Sequence, residues 1–450
     1  MRAMYRRNLL LLALIIPSCL LAWAARDRSG QGQRFAEVAR MVSQRYVEPV
    51  EQEQLFEAAM TGLFATLDEN SRYISPQAHQ DLAGRLDQRF AGIGVELSVS
   101  DHSGEVVVLS PVYGGPAWEA GMVPGDRILA INGQNVVGET VADVAARLRG
   151  EEGSRLRLLV ASSDAAGVSG LGTRDVELTR RLITLESVRG DRRLADGRWD
   201  WWLEGEPGIA YLRITQFGEQ TETEVGAVLD ELAEARSPRG VILDLRGNSG
   251  GLLEAAVSVC DLFLDDGVIV TTLDHRRAAS AVQRNASRGA RLAGVPLVVL
   301  IDSFTASAAE IVAACFQDNK RAIVVGSQSY GKGTVQTLMP LLFGRGAIRL
   351  TTAEYRRPSG AAIERAVGAK SEKPWGVSPD SGFAFTPTGQ QLERWFRWRR
   401  QRDWPQLADA DATKADPVAD PAITLPRHAD PVLARALTVF SESMPAGQNH

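Results

Sequence analysis

Histidine and cysteine are both scarce in this 450-residue chain, which holds five of the first and three of the second. His79, His102, His275 and His428 stand in loop-like contexts with no shared motif, and His450 is the last residue. No local Ser–His–Asp arrangement can be written from them, although a triad assembled from distant residues stays open. No spacing of His, Cys, Asp or Glu fits a metal site, so neither a metal nor another cofactor is expected. Only Cys260 and Cys315 lie beyond the N-terminal segment, both in apolar, helix-like surroundings. That context predicts two buried thiols rather than a disulfide framework. An excess of basic charge is lacking too: the formal net charge is −5 and the pI is near 5.7. This balance argues against a nucleic-acid partner.

What is present is an ordinary globular composition, 44% apolar and 23% charged, over a length with room for two or three domains. Residues 9–25 form an uncharged, mainly apolar run preceded by Arg2, Arg6 and Arg7, and Ala22-Trp-Ala24 fits a small-x-small cleavage site. Export to the periplasmic or extracytoplasmic side is expected. Residues 1–25 serve either as a cleaved signal peptide or as a membrane anchor, because the run is near the lower limit for spanning a bilayer.

Residues 31–88 read as helical. Phe35, Val38, Val42 and Tyr46 share one face, and Leu55, Phe56, Ala59, Met60, Leu63 and Phe64 another. A helical cap or a dimerising arm is expected there, and a homo-oligomer is compatible with it. From 90 to 182 the chain breaks into short β-rich pieces around a helix at Val141–Leu148. From 185 to 385 strands alternate with helices, with apolar strands at Ile209–Ile214, 241–245, Val268–Leu273, Leu297–Ile301, 322–325 and 347–352. This pattern predicts an α/β core. The helix at 252–264 is apolar nearly all round and is expected to be buried. In 386–450 a basic aromatic helix puts Leu392, Trp395, Phe396 and Arg399 on one face. It is expected to pack on the body through Trp395 and Phe396 rather than on a membrane. A linker over 405–431 and a short docking helix over 431–440 follow.

The chemistry gathers in 297–336. The strand Leu297–Ile301 leads through a polar step to Ser307 at a helix start. A second strand runs into the glycine-punctuated loop 326–333 that carries Lys332, with Gln336 four positions on. A hydroxyl, a lysine between glycines and an amide suit a serine–lysine nucleophilic site. Plainer explanations stand beside it: Ser307-Ala-Ala-Glu310 is also a capping box, and Lys332 also fits a solvated turn. As a base, Lys332 must fall well below its ordinary pKa of about 10.4, which burial can achieve. Gln336 could hold the amine without adding a charge. Ala308 offers an N–H to a developing oxyanion, aided by the helix dipole. The turn Arg246-Gly-Asn-Ser-Gly-Gly251 offers a second donor from Gly250 or Gly251, or is simply a turn that needs glycine dihedrals. The loop 326–332 is also most of a phosphate-binding loop. Gly333 then sits where a magnesium-binding Ser or Thr belongs, and a strand pattern follows where a helix should.

The series Gly92-Ile-Gly-Val95, Pro116-Ala, Ala120-Gly121, Pro124-Gly-Asp126 and Ile131-Asn-Gly133 resembles a PDZ domain. In such a domain the backbone of Gly92, Ile93, Gly94 and Val95 holds a terminal carboxylate while a sheet edge accepts the peptide as an added strand. A PDZ fold serving only as a spacer is the alternative. Further pieces are Leu67-Asp68 with Ser71-Arg-Tyr73, Leu243-Asp-Leu-Arg-Gly-Asn-Ser-Gly-Gly251, Thr305-Ala-Ser-Ala-Ala-Glu310, Gly331-Lys-Gly-Thr-Val-Gln336 and Pro358-Ser-Gly360. With them the chain resembles the carboxy-terminal processing, or tail-specific, peptidases over about residues 35–380. The resemblance implies a crotonase-like α/β protease core carrying an inserted PDZ domain and an N-terminal helical arm. It also implies Ser307 as nucleophile, Lys332 as general base, Gln336 as its orienter, and Ala308 with Gly250 or Gly251 as the oxyanion hole. Protein or peptide substrates with unstructured C-terminal tails follow from it. Glu69-Asn70 replaces the family's usual Pro-His, Arg356-Arg357 stands where an aromatic and a small polar residue are usual, and 361–376 is longer and more charged. The alternative is a catalytically degenerate PDZ scaffold of the cell envelope.

Overall fold

In the computed structural model the described residues are 30–100, 104–163, 169–274, 281–342, 346–365, 374–404 and 430–442. Residues 1–25, read above as an export segment, His102, His275, His428 and nearly all of 405–431, read as a linker, lie outside them. The chain divides into two compact units, one holding the described residues up to Ser75 with Leu338–Leu350, the other Pro76–Thr337 with the residues from Thr351 onward.

In the first unit, helices Gln31–Arg45 and Gln52–Phe64 precede a strand, Arg72–Ile74, which runs antiparallel to Ala347–Arg349. Phe56 meets Tyr73 edge-on with ring centroids 5.4 Å apart. The first helix has the expected apolar face, yet none of its residues is buried, and Phe35, Val38 and Met41 are about half exposed.

The core of the second unit is a five-stranded sheet in the order Val188–Arg189, Ile209–Ile214, Gly240–Asp244, Leu297–Ile301, Ala322–Gly326. The last four strands are parallel. Parallel strands covered on both faces read as unbroken apolar runs, and Ile209–Ile214, Gly240–Asp244 and Leu297–Ile301 are buried at every position. Strand alternation then sorts their side chains into two layers. Ala210, Leu212, Val241, Leu243, Val299 and Ile301 face helices Thr221–Ala235, Leu253–Asp261 and Ala308–Asp318. Tyr211, Ile242, Val298 and Leu300 face the helix Pro431–Glu442 through Val432, Leu433, Ala436 and Phe440. Helix Leu253–Asp261 differs from expectation: Glu254 and Ser258, one turn apart, face solvent, so the helix is amphipathic and buried on one side. Cys260 and Cys315 are free and buried, and burial pushes the Cys260 thiol well above its usual range.

The β-rich segment has its own core, built from Ile93, Val108, Ile128, Val144, Leu158 and neighbours. Its sheet runs Val95–Val99, Val106–Pro111, Arg127–Ile131, Arg155–Ser163, Ser169–Thr179, so Val95–Val99 is an edge strand. Helix Val141–Leu148 buries Val144 and Leu148, one turn apart, and the Thr140 hydroxyl caps it by accepting from Asp143 N–H at 3.2 Å.

The basic helix Gly389–Asp403 packs on the core through Trp395 and Arg399, while Phe396 is 40% exposed. Phe396 therefore does not anchor it as expected. The anchor is electrostatic: Arg399 donates to the Gly190 and Asp191 carbonyls, Arg402 pairs with Asp191 and Glu204, and Asp403 pairs with Arg189 and Arg213. Among the described residues no helix is long and apolar enough to cross a membrane.

Candidate active site

Three loops leave the same, C-terminal edge of the parallel strands, where sites in open α/β sheets form. They are 245–251 after Gly240–Asp244, 302–307 after Leu297–Ile301, and 327–333 after Ala322–Gly326. Two joints tie the first pair together. The Asp302 carboxylate accepts the N–H groups of Gly247, Phe304 and Thr305 at about 3.0 Å, and Ala306 N–H donates to the Asn248 carbonyl at 3.0 Å. Burial raises the Asp302 pKa, against the lowering effect of those backbone donors.

Ser307 ends the second loop as the residue before helix Ala308–Asp318. Its backbone sits at φ 56° and ψ −119°, a region that a non-glycine residue occupies only under constraint from its surroundings. Such strain concentrates at functional sites. The capping relation expected from the sequence is present: Glu310 accepts the Ser307 N–H at 2.8 Å. The same carboxylate also reaches the third loop. Its Oε2 accepts the Lys332 N–H at 2.8 Å, while Oε1 accepts from Gly331 N–H at 2.7 Å and from the Ser329 hydroxyl at 2.5 Å. One oxygen thus receives the amides of both Ser307 and Lys332, so those nitrogens lie no more than two hydrogen-bond lengths apart. Glu310 is fully buried, and burial raises its pKa above the ordinary glutamate value despite four donors that favour the charged form. Reasoning from sequence assigned Glu310 only the cap. Its reach to a loop some twenty positions away left no local signal.

Gln336 lies on the strand Thr334–Pro340 and donates from Nε2 to the Thr334 carbonyl at 3.1 Å and hydroxyl at 2.8 Å. Those bonds fix which way the amide faces. A strand after Gly333, in place of a helix, also removes the structural context of a phosphate-binding loop.

The Gly250 N–H donates to Asn248 Oδ1 at 2.8 Å, whereas the amides of Ala308 and Gly251 have no acceptor among the described residues. Gly250, at φ +103°, lies directly against Ser307. A Cβ there would come within 2.8 Å of Ser307 Cβ and 3.0 Å of Ala308 N.

In the β-rich segment, Gly94 takes φ +72° and the carbonyls of Ile93 and Gly94 accept from Ala117 and Val112 N–H at 2.9 Å. Ile93 is buried in the local core, and Gly92 packs against the Phe90 ring. A cavity of about 540 Å³ adjoins this loop, lined by Phe90, Val95, Ala146 and Arg149 among others. Among the described residues no group of His, Cys, Asp or Glu is arranged to hold a metal ion.

An α/β core with three loops converging on a strained serine, joined to a small β domain with an edge strand, is the architecture of a serine-type peptidase carrying a PDZ domain. Comparison with known proteins gives the family. The sequence model of peptidase family S41 matches residues 208–381, and that of the PDZ domain matches 107–162. A carboxy-terminal-processing protease of Bartonella bacilliformis is 34% identical over 335 residues, 74% of this chain and 72% of the relative. A carboxyl-terminal-processing protease of Synechocystis is 34% identical over 332 residues, 72% of each. A solved structure from Bacteroides fragilis, described as an S41 protease, shares the fold with a TM-score of 0.50 at 16% identity, over 91% of this chain and 97% of that one. The chain belongs to the carboxy-terminal-processing proteases of peptidase family S41, with an α/β core and a PDZ domain.

Proposed function

We propose that this protein is an exported endopeptidase, directed outward by residues 1–25, that captures unstructured C-terminal tails in its PDZ groove and cuts the chain so presented. Lys332, as a neutral amine oriented by Gln336 Oε1, takes the Ser307 proton as Oγ attacks the peptide carbonyl. The oxyanion that forms is met by the amides of Ala308 and Gly251, Gly250 already donating to Asn248. The amine passes its proton to the departing amino group. It then takes one from the attacking water and returns it to Ser307 Oγ as the acyl ester breaks, releasing the carboxylic acid product and restoring the Ser307 hydroxyl.

The observation that carries this reading is the Glu310 oxygen that binds the backbones of Ser307 and Lys332 at once. A helix cap alone would have no use for the second loop. Tail capture is supported by the edge strand Val95–Val99 beside the Gly92–Val95 turn and by the cavity next to it, whose lining includes Phe90, Val95 and Arg149. The test is cleavage of an unfolded protein bearing varied C-termini by the wild type, Ser307→Ala and Lys332→Arg. Both variants are expected to fold and to lose turnover, since arginine stays charged, and the wild-type rate is expected to follow the C-terminal residues. Wild-type turnover by either variant would overturn the mechanism.

A further inference from the structure

The S41 match ends at residue 381, yet two helices beyond it are built into the core. Trp395 of the first and Asp430, the residue just before the second, both reach Arg246, the first residue of the turn Arg246-Gly-Asn-Ser-Gly-Gly251. We propose that Asp430 is a positioning residue for hydrolysis: together with Trp395 it holds Arg246, and through it the oxyanion loop, in the geometry the reaction uses. This inference rests on the assignment of the hydrolytic site to Ser307.

Arg246 is 7% exposed, and its guanidinium is gripped from three sides. Nε and Nη2 donate to Asp244 at 2.9 and 2.6 Å, Nη1 donates to Asp430 Oδ1 at 3.0 Å, and Cζ lies 4.5 Å from the centre of the Trp395 ring. Asp244 cannot take over the far edge of the guanidinium. Its carboxylate already accepts the Arg246 N–H at 3.0 Å and the Tyr211 hydroxyl at 2.6 Å. Without the Asp430 charge, the buried guanidinium loses its second carboxylate, whose Oδ2 lies 2.8 Å from Nη2. A carboxylate that could take its place is Asp302, which lines the same small pocket as Arg246, Trp395 and Asp430. Asp302 is the joint that binds Gly247 N–H and the turn leading to Ser307. A guanidinium drawn toward Asp302 competes for the acceptor that keeps the two loops in register.

Anchoring and positioning are separable here. The helix Pro431–Glu442 is held on the sheet by Val432, Leu433, Ala436 and Phe440. Asp430 also caps that helix, its Oδ1 accepting the N–H of Val432 and Leu433 at 3.1 and 3.0 Å. Asparagine caps a helix as well as aspartate does, so Asp430→Asn keeps the cap and the Nη1 acceptor on Oδ1, removes the charge and turns an amide NH2 toward Nη2.

The experiment measures kcat and KM on an unfolded tailed substrate, with thermal melting, for Asp430→Asn, Arg246→Lys, their combination and Ser307→Ala. Asp430→Asn is expected to lower kcat at least tenfold with KM within twofold and a cooperative melt. Adding it to Arg246→Lys is expected to cost no more than a further twofold. An Asp430→Asn kcat within twofold of wild type, with Ser307→Ala inactive, would overturn the proposal, as would effects of the two substitutions that multiply. Should Asp430→Asn not fold, Trp395→Phe carries the test, with a several-fold lower kcat at unchanged KM expected and a wild-type kcat overturning it. Wild-type turnover by Ser307→Ala would instead remove the catalytic reading on which the positioning role depends.

Discussion

Replacing Glu310 with glutamine probes the joint between the Ser307 and Lys332 backbones without changing its size. The carboxylate accepts four donors, two per oxygen: Ser307 and Lys332 amides on Oε2, the Gly331 amide and Ser329 hydroxyl on Oε1. A glutamine has one oxygen, so whichever way its amide turns, two of the four donors face an NH2 group. Hydrogen bonds to a charged group contribute about 1.5–3 kcal/mol each. Losing two, less the relief of no longer burying a charge, gives a net destabilisation of about 3 kcal/mol. At about 2–4 °C per kcal/mol for domains of 150–250 residues, the melting temperature should fall by about 6–12 °C. Turnover should fall further than stability, because a shift of about 1 Å between reacting groups costs about 100-fold. The pH dependence has a defined sign. Burial holds the folded-state pKa of Glu310 above its unfolded value, so its contribution to stability is complete at acid pH and is lost as pH rises through the raised value. Glu310→Gln removes that slope. The assay is cleavage of an unfolded substrate well below the lower melting temperature, alongside melts at several pH values. A folded Glu310→Gln protein with turnover within threefold of wild type would refute the reasoning.

Gly250→Ala places a methyl group 2.8 Å from Ser307 Cβ and beside the Ala308 amide, at a φ of +103°. Turnover is expected to drop at least 100-fold, with a stability loss of about 1–3 kcal/mol from backbone strain, read by substrate cleavage and thermal melting. In Asp403, burial raises the pKa but the guanidinium groups of Arg213, Arg189 and Arg399 lower it by more, leaving it well below the usual carboxylate range. Its contribution is therefore present above the unfolded pKa of about 3.9 and lost as pH falls below it, so Asp403→Asn should flatten the acid limb of a stability-versus-pH curve. Ala146→Trp, which fills the groove lined by Phe90 and Val95, is expected to raise KM for tailed substrates while leaving kcat within twofold.

How much of this was legible in the sequence follows from the range of each interaction. The core strands were, because burial on both faces writes an unbroken apolar run such as Leu297–Ile301. The strand Ala281–Asn285 was not, since all five of its residues are exposed and carry no periodic signal. Ser307 was legible as a helix start, and it does precede helix Ala308–Asp318; the unusual backbone conformation it takes there left no mark on the local pattern. The second use of Glu310, to bind the loop around Lys332, depends on the three strand ends meeting at one edge. The helix Gly389–Asp403 was expected to pack through Trp395 and Phe396, and the anchoring role of its arginines was missed because partners such as Asp191, roughly two hundred positions away, are invisible to local pattern. The Arg246–Asp430 contact spans 184 positions and could come only from the fold.

The central claim, that the Lys332 amine activates the Ser307 hydroxyl, is tested most directly by labelling with a serine-reactive phosphonate and mapping the adduct by mass spectrometry. One adduct on Ser307, formed with a rate that climbs as the amine loses its proton and abolished by Lys332→Arg, is the predicted result. An adduct on another residue, or undiminished labelling of Ser307 in Lys332→Arg, would contradict it.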